Sequence, residues 1–113
     1  MAYRTINLEA GMPTVEVARS RLSQELVSAR AGGARALKII HGYGSSGKGG
    51  AIKREVHSFL RQKKRSGVIR EYVAGEEFSP FGASARRAVE LCPELSRDSD
   101  YSRGNDGITI AVF

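Results

Sequence analysis

The sequence predicts an α/β fold in which a mostly parallel, four-stranded sheet alternates with helices. Three observations carry this. Short apolar runs suited to strands recur at residues 5–9, 36–40, 68–74 and 107–113. Between the first three runs the apolar residues fall at helical spacing. At 113 residues the chain holds one modest core, so residues 1–113 form a single domain. Helices between successive strands imply parallel pairing with right-handed crossovers. In such sheets ligands collect at the C-terminal ends of the strands.

The elements follow in order. Residues 5–9 alternate apolar and polar and form a first strand, broken by Gly11, Met12 and Pro13. Thr14 is placed as the N-cap of a helix whose apolar face is Val15, Ala18, Leu22, Leu26 and Ala29. Gly32 and Gly33 stop it. Residues 36–40 form the second strand and deliver His41 at its end. Ile52, Val56, Phe59 and Leu60 mark the buried stripe of a second helix, which ends in the charged run 61–65 and at Gly67. His57, beside Val56, reads as a boundary residue with no role. Residues 68–74 are β-rich and form the third strand. Residues 83–91 form a short third helix ended by Pro93, with Ala85, Ala88 and Val89 inward. The polar run 97–107 reads as a mobile loop and 107–113 as the last strand. Tyr72, Phe78 and Phe81 are read as packing residues.

Composition narrows the function classes. Apolar content of 41% and charged content of 27% are those of an ordinary soluble globular protein. No run approaches the roughly 20 apolar residues of a membrane span. Met1-Ala2-Tyr3-Arg4 carries no apolar signal region, so no secretory leader is expected. A lone Cys92 has no disulfide partner within the chain, which fits a reducing, cytoplasmic setting, and reads as a small buried hydrophobe. Two histidines and one cysteine without ligand spacing argue against a structural zinc site. The net charge of +6 is strongly localised. From Arg35 to Arg70 ten basic residues face one acid, Glu55, a local charge of +9, while the remainder carries −3. That asymmetry points to a polyanionic partner.

The chemistry concentrates in His41-Gly42-Tyr43-Gly44-Ser45-Ser46-Gly47-Lys48-Gly49-Gly50, with Lys53 and Arg54 following on the helix. Glycines let the backbone take positive φ and approach a ligand. The helix N-terminus offers unpaired N–H groups, and its dipole together with Lys48, Lys53 and Arg54 favours phosphate. These residues, His41 through Gly50 with Lys53 and Arg54, are the candidate nucleic-acid-binding set. Tyr43 is placed to stack on a base or to pack on its own loop. His41 has two readings: it donates to a phosphate or shuttles a proton, or it caps the strand by bonding the backbone. Lys63, Lys64 and Arg65 extend the cationic track or face water. Gly42-x-x-x-x-Gly47-Lys48 also has P-loop spacing, but Gly49 stands where a Ser or Thr should ligate Mg²⁺. No later strand offers a convincing metal-binding Asp, which weighs against nucleotide hydrolysis.

His41-Gly42-Tyr43-Gly44 resembles the His-Gly-x-Gly signature of the small MutS-related (Smr) domain family. That family's first motif, Leu-Asp-x-His-Gly, corresponds to Ile6-Asn7-Leu8-Glu9, with Gly11 one residue late behind Ala10. The resemblance covers the order of elements through Ala74 and implies a two-layer α/β sandwich, β-α-β-α-β-[insert]-β. Its insertion spans about residues 75–107, and the fold is similar to the C-terminal domain of translation initiation factor three. It implies nucleic-acid binding and, in some members, endonuclease activity on RNA or DNA. The family's Asp and His fall here on Asn7 and Glu9. The candidate catalytic set is therefore His41, Glu9 and Asn7, although Asn7 lacks a carboxylate for base or metal chemistry. No cofactor or metal is expected, with a divalent cation entering only in the nuclease reading. The expected partner is RNA or DNA, gripped largely without regard to sequence. A protein-interaction role on a ribosome or repair complex is the remaining alternative.

Overall fold

The computed structural model describes residues 2–43 and 48–113, with Lys48 and Gly49 described by their backbone alone. Four strands, β1 (Tyr3–Asn7), β2 (Ala36–Ile40), β3 (Glu71–Ala74) and β4 (Ile108–Val112), form one sheet in the order β1-β2-β4-β3. Three α-helices, α1 (Val15–Ala31), α2 (Lys48–Arg65) and α3 (Ala83–Leu91), accompany it, with 3₁₀ turns at Gly75–Glu77 and Pro93–Arg97.

β1 and β2 pair in parallel, as a strand–helix–strand unit requires. β4 enters antiparallel between β2 and β3, pairing with both. The sheet is therefore mixed, although β1, β2 and β3 share one direction. The alternation of strands and helices indicates those shared directions. The slot taken by β4 is a long-range choice that local sequence does not express.

Alternating residues of the strands feed two cores, one on each face of the sheet. Leu37, Ile39 and Ala111 face α1 and α2, packing with Leu22, Leu26, Val56, Phe59 and Leu60. Ala36, Ile108, Ile110 and Val112 face the other way and pack under α3 with Phe78, Ala85, Ala88 and Leu95. Residues 75–107 thus cover the second face of the sheet, adding a layer beyond the sheet and its α1–α2 cover. Cys92 is fully buried there, and burial pushes its thiol up to about 11.

The helix signals hold closely. Thr14 Oγ1 accepts a hydrogen bond from Val17 N, and Gly32 closes α1 by donating to the Ser28 carbonyl. The strands differ at their ends. β1 stops at Asn7 because the Asn7 carbonyl oxygen of its side chain accepts the Glu9 N–H at 2.8 Å and starts a turn. β3 starts at Glu71 because the N–H groups of Val68 and Ile69 are used on the Lys63 carbonyl at the end of α2.

Candidate nucleic-acid interface

β2 rises through buried residues to His41, and the chain then turns at Gly42 with φ +88°, a conformation that glycine adopts without strain. The turn is clamped from below. The Gly107 carbonyl, just before β4, accepts the N–H groups of both His41 and Gly42 at 3.0 Å. β1 ends beside it, since Asn7 pairs with Ile40 and Leu8 N donates to the Ile40 carbonyl. The two motifs of the sequence are therefore brought together. The Glu9 side chain lies against Gly42 so closely that a Cβ there would strike its carboxyl.

The individual site residues separate into exposed and buried groups. Asn7 and Glu9 are exposed, with Asn7 engaged in its own turn. Tyr43 is 66% exposed, and its ring edge lies over Gly107, where a Cβ would crowd it. It therefore leans on the clamp and still presents a face to solvent. Arg54 is exposed, and among the described residues it forms no ion pair. Lys53 bonds Glu76 at 2.9 and 3.2 Å. That pair holds the Glu76 carboxyl below its usual range against the opposing effect of burial. The first turn of α2 contains no acidic residue. Gly44, Ser45, Ser46 and Gly47, together with the side chains of Lys48 and Gly49, lie outside the described residues.

His41 is fully buried, with both ring nitrogens occupied. A carbonyl accepts, so Nδ1 carries the proton and donates to Gly42 O at 3.0 Å. Nε2 then accepts from the Thr109 hydroxyl at 2.8 Å. That hydroxyl has a single hydrogen, so it accepts from His57 Nε2–H at 3.0 Å. The result is a directed chain from His57 through Thr109 and His41 to the turn. Burial lowers the proton affinity of both histidines, and the nearby Lys53 ammonium lowers both further. His41 thus occupies the position of a strand-end cap fixed to backbone.

His57 and Thr109 carry a role that the sequence reading did not assign. The available signal was Thr109, a polar residue in an otherwise apolar strand and 0% exposed. His57 continues into an open cleft of about 410 Å³ bordered by Lys64, Glu71, Tyr72, Glu76, Glu77 and Ser84. Among the described residues no cluster of His, Cys, Asp or Glu has the arrangement to hold a metal ion.

A second buried polar group supports the turn from the opposite face of the sheet. Lys38, 6% exposed, bonds Asp98 at 2.7 Å and Asp100 at 2.6 Å. Burial alone would lower the Lys38 ammonium, but these two carboxylates outweigh it and raise it. Asp98 also accepts the Tyr3 hydroxyl at 2.6 Å, Asn105 donates to Asp100, and the Asn105 side chain accepts Gly107 N–H. The polar run expected to be mobile is instead anchored, and it sets the carbonyl that clamps His41 and Gly42. The local +9 is also reduced by acids from elsewhere, since Lys38, Lys53 and Lys64 meet Asp98, Asp100, Glu76 and Glu71.

Phe78 is buried as expected, whereas Phe81 is 92% exposed in the turn before α3. Among the described residues, no helix is long and apolar enough to cross a membrane.

The comparisons agree with this architecture. The crystal structure of the Smr domain of Thermus thermophilus MutS2 superposes with a TM-score of 0.59 at 22% identity, covering 96% of this chain and 95% of that one. A search of curated proteins finds no match. The family model for the Smr domain matches residues 10–79, a range that includes the sequence His41-Gly42-Tyr43-Gly44, and the chain belongs to the Smr domain family.

Proposed function

We propose that this domain binds RNA or DNA, largely independently of sequence, by receiving backbone phosphates at the turn between β2 and α2. The observation that carries the proposal is the start of α2. The first turn of α2 holds no acidic residue, Lys53 and Arg54 follow about one turn further on, and the clamped Gly42 turn precedes the helix by a few residues in the chain. Membership of the Smr family, whose domains bind nucleic acid or cleave it, supports the reading. Tyr43 supplies an exposed aromatic face beside the turn, and such faces stack on unpaired bases. His41 acts by shaping the turn, since its nitrogens are already bonded. A cytoplasmic setting fits the unpaired Cys92.

The test is fluorescence anisotropy with labelled single- and double-stranded RNA and DNA at two salt concentrations. Binding is expected to weaken steeply with salt, and the triple variant Lys48→Ala, Lys53→Ala, Arg54→Ala to bind weakly with a shallower salt slope. Absence of binding to every oligonucleotide overturns the proposal. The Lys53–Glu76 pair sharpens the test. A surface pair is worth at most about 1 kcal/mol, so Glu76→Gln, which frees Lys53 and removes a negative charge, should tighten binding about threefold.

One observation favours endonuclease activity as a second reading: the Glu9 carboxyl is held against Gly42, within the turn that would receive the phosphate. Cleavage that persists unchanged in Glu9→Ala and His41→Ala removes that reading.

A further inference from the structure

At the end of the molecule away from this turn, a groove of about 510 Å³ runs between the C-terminal halves of α1 and α2. Its apolar lining comes from Leu26, Val27, Ala31, Phe59 and Val68. Leu26 is buried, Val27 is 67% exposed, and Val68 also lines the groove. Phe59 contributes to the base but is only 5% exposed, and Lys63 Nζ lies over its ring at 5.2 Å. The rim is cationic: Arg30 stands on α1 and Lys63 on α2, and no carboxylate among the described residues lines the groove. Among the described residues neither cation forms an ion pair. Arg61 and Arg65 on the same end of α2 add to the positive field, whereas Lys64 is paired with Glu71.

We infer that this groove is a docking surface for an acidic amphipathic segment of a protein partner, laid with its apolar side on Val27 and Val68 and its carboxylates toward Arg30 and Lys63. Two features select that occupant. An exposed valine on a helix rimmed by unpaired cations fits a ligand that is apolar on one side and anionic on the other. Nucleic acid is the competing polyanion, but a phosphate backbone would leave the exposed Val27 uncovered, and the aromatic ring on which single strands would stack is itself covered. The groove is also remote from the phosphate turn. Lys63 follows Lys48 by fifteen positions on α2, which at the α-helical rise is about 22 Å. The inference therefore stands independently of the nucleic-acid reading.

The experiment is an amide NMR titration of the full chain with a synthetic peptide of about four helical turns, carrying leucines at i, i+3, i+4, i+7 spacing and glutamates elsewhere. Shifts are expected at Ser23, Val27, Arg30, Ala31, Lys63 and Val68, and not at His41 to Tyr43. A peptide with serines replacing the leucines should bind at least about tenfold more weakly, because both the apolar floor and the cations are used. Val27→Glu with Arg30→Glu, both at exposed positions that leave the fold intact, should abolish the shifts. The inference is overturned by any of three results. The groove amides do not move, the double variant binds as well as the parent, or a single-stranded oligonucleotide moves the same amides and displaces the peptide.

Discussion

Thr109 shows how much one side chain can organise. Its hydroxyl is fully buried and serves the Nε2 atoms of both histidines, one as acceptor and one as donor. Thr109→Val keeps the shape and removes both bonds. The substitution should destabilise the protein by about 1–3 kcal/mol in denaturant unfolding, the range for leaving buried polar atoms unsatisfied. His57 should then lose its fixed ring orientation, visible as changed ring-proton shifts. Glycine positions contrast by what surrounds them. At Gly75 a Cβ would strike the Asn105 carbonyl and the Ile108 carbonyl, both backbone and unable to yield. At Gly42 it would strike the end of the flexible Glu9 side chain, leaving mainly the cost of a positive φ. Gly42→Ala should therefore cost about 1–2 kcal/mol, and Gly75→Ala clearly more, measured side by side in urea.

At the scale of elements, the segment after β3 and the strand β2 depend on each other. Lys38 projects to the α3 face of the sheet and is neutralised by Asp98 and Asp100, which lie sixty residues or more along the chain. Lys38→Met strands two carboxylates in a largely closed environment and should cost about 3–5 kcal/mol. Adding Asp98→Asn and Asp100→Asn should recover much of that loss, because the penalty arises from unpaired charge rather than from the missing pair itself. Because Asn105 and Gly107 belong to the same segment, the single variant should also loosen the clamp. Faster amide exchange at His41 and Gly42 would report it.

Across the whole molecule, the buried titrating groups set the dependence of stability on pH. The folded-state pKa values of His41 and His57 are lowered, so the unfolded chain binds more protons below its histidine value. Stability should therefore be full above about pH 6.5 and fall as the pH drops below it. Asp98 and Asp100 are lowered as well, against burial in the case of Asp98, by their bonds to Lys38. Their contribution is present above the unfolded aspartate value of about 3.9 and is lost below it. Thermal unfolding across pH should show two separate declines, and His41→Gln with His57→Gln should flatten the upper one.

Much of this architecture was legible in the sequence because it is local. Helical spacing at Ala18, Leu22, Leu26 and Ala29, the Thr14 cap, and the glycine turn after an apolar strand each express short-range preferences. The family signature lies in that same turn, so the Smr fold was legible with it. The tertiary structure alone decided where β4 goes, since its slot between β2 and β3 depends on pairing partners far apart in the chain. It also decided that residues 97–107 are anchored, because the charge that holds them, Lys38, lies on β2. The same logic governs the site. The position of His41 at the end of β2 follows from the chain order, but its burial and its link through Thr109 to His57 arise only when β4 and α2 pack together. Only that packing fixes which of the two histidines is enclosed and which reaches a cleft.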